Sequence, residues 1–123
     1  MFDARATAAA YGLAVELADL GGWGETTLIA EYDARARAIR INSRALETYR
    51  RRCGRLSPRD VREFIDFAVA HELFHHREAI GEEPRRGSYA EREAAADAFA
   101  RAIVAPNARL AAFVGGASET RGS

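Results

Sequence analysis

The chain of 123 residues has no lysine: all eighteen basic side chains are arginine. Together with the abundant alanine, this reads as genome composition more than as chemistry. A single cysteine, Cys53, excludes an internal disulfide and suits a reducing compartment. Charge of one sign is also missing in excess, because eighteen acidic residues cancel the eighteen basic ones. No global field would then draw the chain to nucleic acid or an anionic membrane. Long apolar runs are lacking as well. Glu16 and Asp19 interrupt the N-terminal stretch, and Met1-Phe2-Asp3-Ala4-Arg5 carries charge where a signal peptide would begin. Neither a secretory signal nor a membrane-spanning helix is expected, and the expected location is cytoplasmic. What is present, 48% apolar and 29% charged residues, is an ordinary globular balance with length for one core.

Local patterning predicts an α+β fold without internal repeats. Asp3 to Leu20 places Ala8, Tyr11, Val15 and Ala18 at helical spacing, with Gly21-Gly22 as the stop. Thr26 to Tyr32 and Arg37 to Ile41 alternate as strands around a short hairpin connection. Asn42 is placed to cap a helix ending before Gly54. Ser57-Pro58-Arg59-Asp60 opens the next helix, whose apolar stripe Val61, Phe64, Ile65, Ala68 runs on to His71 and His75. Ser88-Tyr89-Ala90-Glu91 has the form of a capping box for a further helix that ends near Pro106. The short link between these two helices favours a hairpin that returns the second to the histidines. The expected architecture is a mixed or antiparallel sheet of about three strands against an HExxH helix and a glutamate helix, preceded by an N-terminal helix. Residues 1–114 would form this domain, and the small, polar 115–123 a disordered tail.

The chemistry lies in His71-Glu72-Leu73-Phe74-His75. Residues four apart share a helix face, so both imidazoles can converge on one Zn2+ ion. Glu72, beside them, is placed to take a proton from an attacking water without ligating the metal. A catalytic zinc needs a third protein ligand. Glu93, in the first turns of the returning helix, is the best candidate, with Glu78 as a competitor that extends away along the same helix. Asp97, one turn after Glu93, could accept a hydrogen bond from the non-ligating nitrogen of His71. An oxyanion donor is offered by Tyr89, His76, Tyr49 or an arginine, with Tyr89 the first choice for its place one turn before Glu93. A chain of this composition contains HExxH by chance roughly one time in a hundred, so the capped helical context adds weight.

The segments Ala70-His71-Glu72-Leu73-Phe74-His75-His76 and Glu93-Ala94-Ala95-Ala96-Asp97-Ala98-Phe99-Ala100, followed by Pro106, resemble the gluzincin metallopeptidases. Within them the chain is most similar to the ImmA/IrrE-type and minigluzincin proteins, and the pair Ile29–Asp33 and Ala38–Asn42 resembles their strand pair ending in asparagine. Phe74 stands where the family often has glycine, and Ala95 where ImmA/IrrE-type proteins often have a second acid. The resemblance implies a zinc endopeptidase with His71, His75 and Glu93 as ligands, Glu72 as general base and Asp97 supporting His71. It further implies a peptide or protein substrate, such as a separately encoded transcriptional repressor, since the chain has no room for a DNA-binding domain.

Other features are read conservatively. His76 points about 100° from His75 and is expected at the solvent-facing rim. Arg50, Arg51, Arg52 and Arg55 are expected to form a solvated face. Trp23 is expected to pack under the sheet, and Cys53 to have no catalytic part. The alternatives to a peptidase are a zinc-binding regulatory or interaction module without turnover, and a structural domain with an accidental motif.

Overall fold

The computed structural model describes residues 2–22, 28–85 and 87–121, the last six by backbone alone. In chain order they form α1 (Ala4–Ala10), β1 (Ala14–Ala18), β2 (Ala30–Asp33), β3 (Ala38–Asn42), α2 (Ser43–Cys53), α3 (Pro58–Ala79), α4 (Tyr89–Val104) and α5 (Ala108–Arg121). The fold is α+β, with a three-stranded mixed sheet in the order β1-β3-β2. No helix among the described residues is long and apolar enough to cross a membrane.

The N-terminal helix is shorter than its composition suggests. Asp3 caps α1 by accepting from the Ala6 amide, but the helix closes after seven residues at Tyr11, and Gly12 turns the chain at φ +75°. The following Ala14–Ala18, read above as continued helix, is strand β1. It runs parallel to β3 with Val15 opposite Ile39 and Leu17 opposite Ile41. Pairing with a strand twenty-four residues on overrides the local helix preference of Ala, Leu and Glu.

β2 pairs antiparallel with β3, Ala30 opposite Ile41 and Tyr32 opposite Ile39. The strand expected from Thr26 is described only from residue 28, and regular pairing begins at Ala30. Trp23 lies outside the described residues. Asn42 joins sheet to helix: its Oδ1 accepts from the Leu20 and Arg44 amides, and its Nδ2 donates to the Gly21 and Leu28 carbonyls. A fully buried amide with four partners fixes where β2 begins and how α2 leaves β3.

The later helices start where their caps place them. Ser57 and Asp60 form a reciprocal capping box with Pro58 at the first helical position, and Ser88 accepts from the Glu91 amide. Gly81, at φ +84°, follows the end of α3. α5 was not anticipated. Its signal is Asn107, whose Oδ1 accepts from the Leu110 amide while its own N–H donates to Glu63. α5 crosses the residue-114 boundary, its backbone continuing to Arg121. Leu110, Phe113 and Val114 complete the core against Tyr49 and Phe64. Of the arginine cluster, Arg50 pairs with Glu47 and Arg52 lies over the Phe113 ring.

Tyr49 is 1% exposed and its hydroxyl has no hydrogen-bond partner among the described residues. An unsatisfied buried hydroxyl costs stability, so Tyr49→Phe should raise the unfolding free energy by about 1 kcal/mol. Burial also pushes this phenol up to about 12. The unfolded state releases the proton near pH 10, so the stabilisation is intact below pH 10 and is lost between there and about 12. Urea unfolding near neutral pH and near pH 11 should show the variant more stable at both, with the larger gain at high pH. A destabilised variant would contradict the packing described.

Candidate metal centre

The α3 stripe that buries Phe64 and Ala68 emerges from the core at His71 and His75, whose ring centroids stand 5.2 Å apart. α4 returns along α3 and brings Glu93 against both rings. Glu93 Oε2 lies 2.7 Å from His75 Nε2, and Oε1 lies 3.7 Å from His71 Nε2. Phe74 is buried and packs at a tilt against Phe99 of α4, ring centroids 5.3 Å apart, tying the two helices together beside the site.

The opposite nitrogen of each ring also meets a carboxylate. His71 Nδ1 is 3.0 Å from Glu72 Oε2, and His75 Nδ1 is 3.2 Å from Glu78 Oε1. With a carboxylate accepting from Nδ1–H, each ring can ligate a metal through Nε2 once that nitrogen is unprotonated; in the structure as it stands His75 Nε2–H donates to Glu93. Burial opposes charge on His75, but the hydrogen bond to Glu93, the charges of Glu72 and Glu93 and the bond to Glu78 outweigh it and raise its pKa. The pocket favours a cation.

Two supporting groups differ from expectation. Asp97 Oδ2 accepts from Arg101 Nε at 2.6 Å, one turn on, and its Oδ1 is buried without a hydrogen-bond partner among the described residues. The contact on His71 Nδ1 is made by Glu72, so Asp97 does not fill that place in this structure. Glu78, considered as a third ligand, lies behind His75 with its side chain 5% exposed, and the carboxylate facing both Nε2 atoms is Glu93.

His76 is buried and not at a solvent-facing rim. Tyr32 and Tyr11 meet its ring edge-on at 5.4 and 5.3 Å, and Tyr32 Oη lies 2.7 Å from its Nδ1. Burial lowers its pKa. His76 is enclosed because α3 is covered on two sides, by Tyr11 at the end of α1 and by Tyr32 of the sheet. His76 and Tyr49 do not line the cleft, which removes both as oxyanion donors.

That cleft, with a cavity volume of about 230 Å³, lies between β2, α3 and α4 and is lined by Leu28 to Tyr32, Phe67, Ala68, His71, Glu72, His75, Tyr89, Arg92 and Glu93. Among the described residues β2 pairs with β3 alone, and Leu28 to Tyr32, running into and along it, line the cleft. Tyr32 and Arg92 are lining residues that the sequence reading missed. The Leu28, Ala30, Tyr32 alternation was the available signal for the first.

The side chains suit zinc. Donors on His71, Glu72 and His75 lie within 4.8 Å of one another. Tetrahedral ligands at about 2.1 Å from zinc stand roughly 3.4 Å apart. The His71–Glu93 separation of 3.7 Å is close to that, and a bound ion would require the 2.7 Å His75–Glu93 contact to widen. Comparisons with family profiles, curated proteins and solved structures returned no match.

Proposed function

We propose that the chain is a zinc-dependent endopeptidase of gluzincin type, with His71, His75 and Glu93 holding one Zn2+ and Glu72 as general base. The observation that carries this is the convergence of two Nε2 atoms on one carboxylate in a cleft lined by β2, which pairs among the described residues with β3 alone. When bound, zinc would supply the Lewis acid that polarises the peptide carbonyl and brings the pKa of an attacking water toward neutrality.

The protein's own groups divide the remaining work. Glu72 Oε2 orients His71, while Oε1, which has no hydrogen-bond partner among the described residues, takes the proton from water and passes it to the leaving amine. β2 receives an extended peptide as an added strand. Tyr89, at the opening of the cleft, donates to the developing oxyanion. By the family resemblance, we infer a protein target such as a separately encoded repressor. The Glu72–His71 contact also favours a second reading, a zinc-binding regulatory module in which Glu72 only orients a ligand.

Zinc-loaded protein incubated with a denatured proteome should generate new peptide N-termini, and chelation should abolish them. No new termini would favour the regulatory module. Glu78→Gln removes the charge behind His75 and should weaken zinc binding about tenfold in competition with a chromogenic chelator. Unchanged affinity would deny Glu78 its orienting part.

A further inference from the structure

Past His75 the cleft adjoins a second cavity of about 200 Å³, lined by Tyr32, His75, Glu78, Ala79, Arg85 and Arg92. Tyr32, His75 and Arg92 line both cavities. From Phe67 to Glu78, α3 advances about 16 Å at 1.5 Å per residue, the reach of roughly five residues of extended peptide. The two ends of this path differ in chemistry. Leu28, Ile29, Phe67 and Ala68 make one end apolar. Arg85 and Arg92 line the other.

Among the described residues neither Arg85 nor Arg92 makes a side-chain hydrogen bond or ion pair, whereas Arg77 pairs with Glu82 and Glu83, and Arg101 with Asp97. Arg92 is partly buried, whereas Arg85 is exposed at the mouth of this cavity. The acid in the second cavity, Glu78, directs Oε1 to His75 Nδ1 at 3.2 Å. A guanidinium matches a carboxylate through paired N–H donors, and a partly enclosed pocket strengthens that contact.

We propose that Arg85 and Arg92 form a carboxylate-recognition subsite, so that the cleft selects peptides with an apolar residue toward Leu28 and Phe67 and a carboxylate beyond His75. This rests on the peptidase reading and narrows its substrate class. The carboxylate can belong to an aspartate or glutamate side chain or to a peptide C-terminus.

The test is binding of fluorescent alanine-based peptides to zinc-loaded Glu72→Gln protein, read by anisotropy. Each peptide carries Phe and then, after one to three alanines, Glu or Gln, with a C-terminal amide; the Gln set is also made with a free C-terminal acid. At least one carboxylate-bearing set should bind about tenfold more tightly than the neutral amides. Gain in the Glu amides identifies a side-chain carboxylate, and gain in the Gln acids a C-terminal one. Arg92→Gln and Arg85→Gln should each reduce the gain, and Arg92→Glu should reverse it in favour of a lysine-containing peptide. Equal binding of charged and neutral peptides, or a gain that survives both arginine substitutions, overturns the subsite. If the unsubstituted protein still cleaves the denatured proteome, the peptidase reading stands without it. Absence of binding by every peptide overturns the subsite also, and absence of cleavage besides overturns the reading beneath it.

Discussion

Replacing Glu72 by glutamine should leave zinc content near one per chain and lower peptide cleavage by about a thousandfold. Proton transfer by a positioned carboxylate contributes roughly 10²–10⁴ to such reactions, and glutamine is close in shape but cannot accept the proton. Its amide oxygen can still accept from His71 Nδ1, where Glu72 Oε2 now lies at 3.0 Å, so the ligand should keep its orientation. The informative comparison is terminal profiling of one denatured proteome treated with each zinc-loaded protein. Cleavage undiminished in the variant would remove Glu72 as general base. Loss of zinc and cleavage together would make its contact with His71 its main contribution.

His75→Ala should have the largest effect on stability in the presence of metal. A ligand that binds only the folded state stabilises it by RT ln(1 + [L]/Kd), about 4 kcal/mol at a thousandfold excess over Kd. For a chain of this size that is a rise in Tm of roughly 15 °C. Zinc addition should produce this rise in the unsubstituted protein and little or none in the variant, because removing His75 leaves Glu93 with a single imidazole nitrogen, 3.7 Å away. Equal zinc-induced shifts in the two proteins would place the metal elsewhere on the chain.

The helices that position the site were legible because their boundaries are written locally. Asn42, Ser57 with Pro58, and Ser88 each cap the helix that the sequence suggested. Glu93 reaching the two histidines followed from a short link that folds α4 back along α3. What was misread depends on distant neighbours. Ala14–Ala18 looks helical by composition and is a strand because β3 pairs with it; Gly12 was the local warning. His76 looked exposed on an isolated helix and is enclosed by Tyr11 and Tyr32, which arrive from two other elements. Asp97 could have been assigned correctly, since Arg101 lies four residues on at a spacing that favours ion pairs. Glu78, three residues after His75, was readable in the same way as its partner. The arginines of the second cavity carried no sequence signal, because their meaning arises only where Arg85, and Arg92 of α4, meet His75.

The central claim is that His71, His75 and Glu93 hold one zinc ion, and elemental analysis of protein purified from zinc-replete medium tests it most directly. The account predicts one zinc per chain in the unsubstituted and Glu72→Gln proteins, and under a tenth of that in a His71→Ala/His75→Ala double variant shown by circular dichroism to be folded. Zinc absent from the unsubstituted protein, or retained in full by the folded double variant, would contradict it.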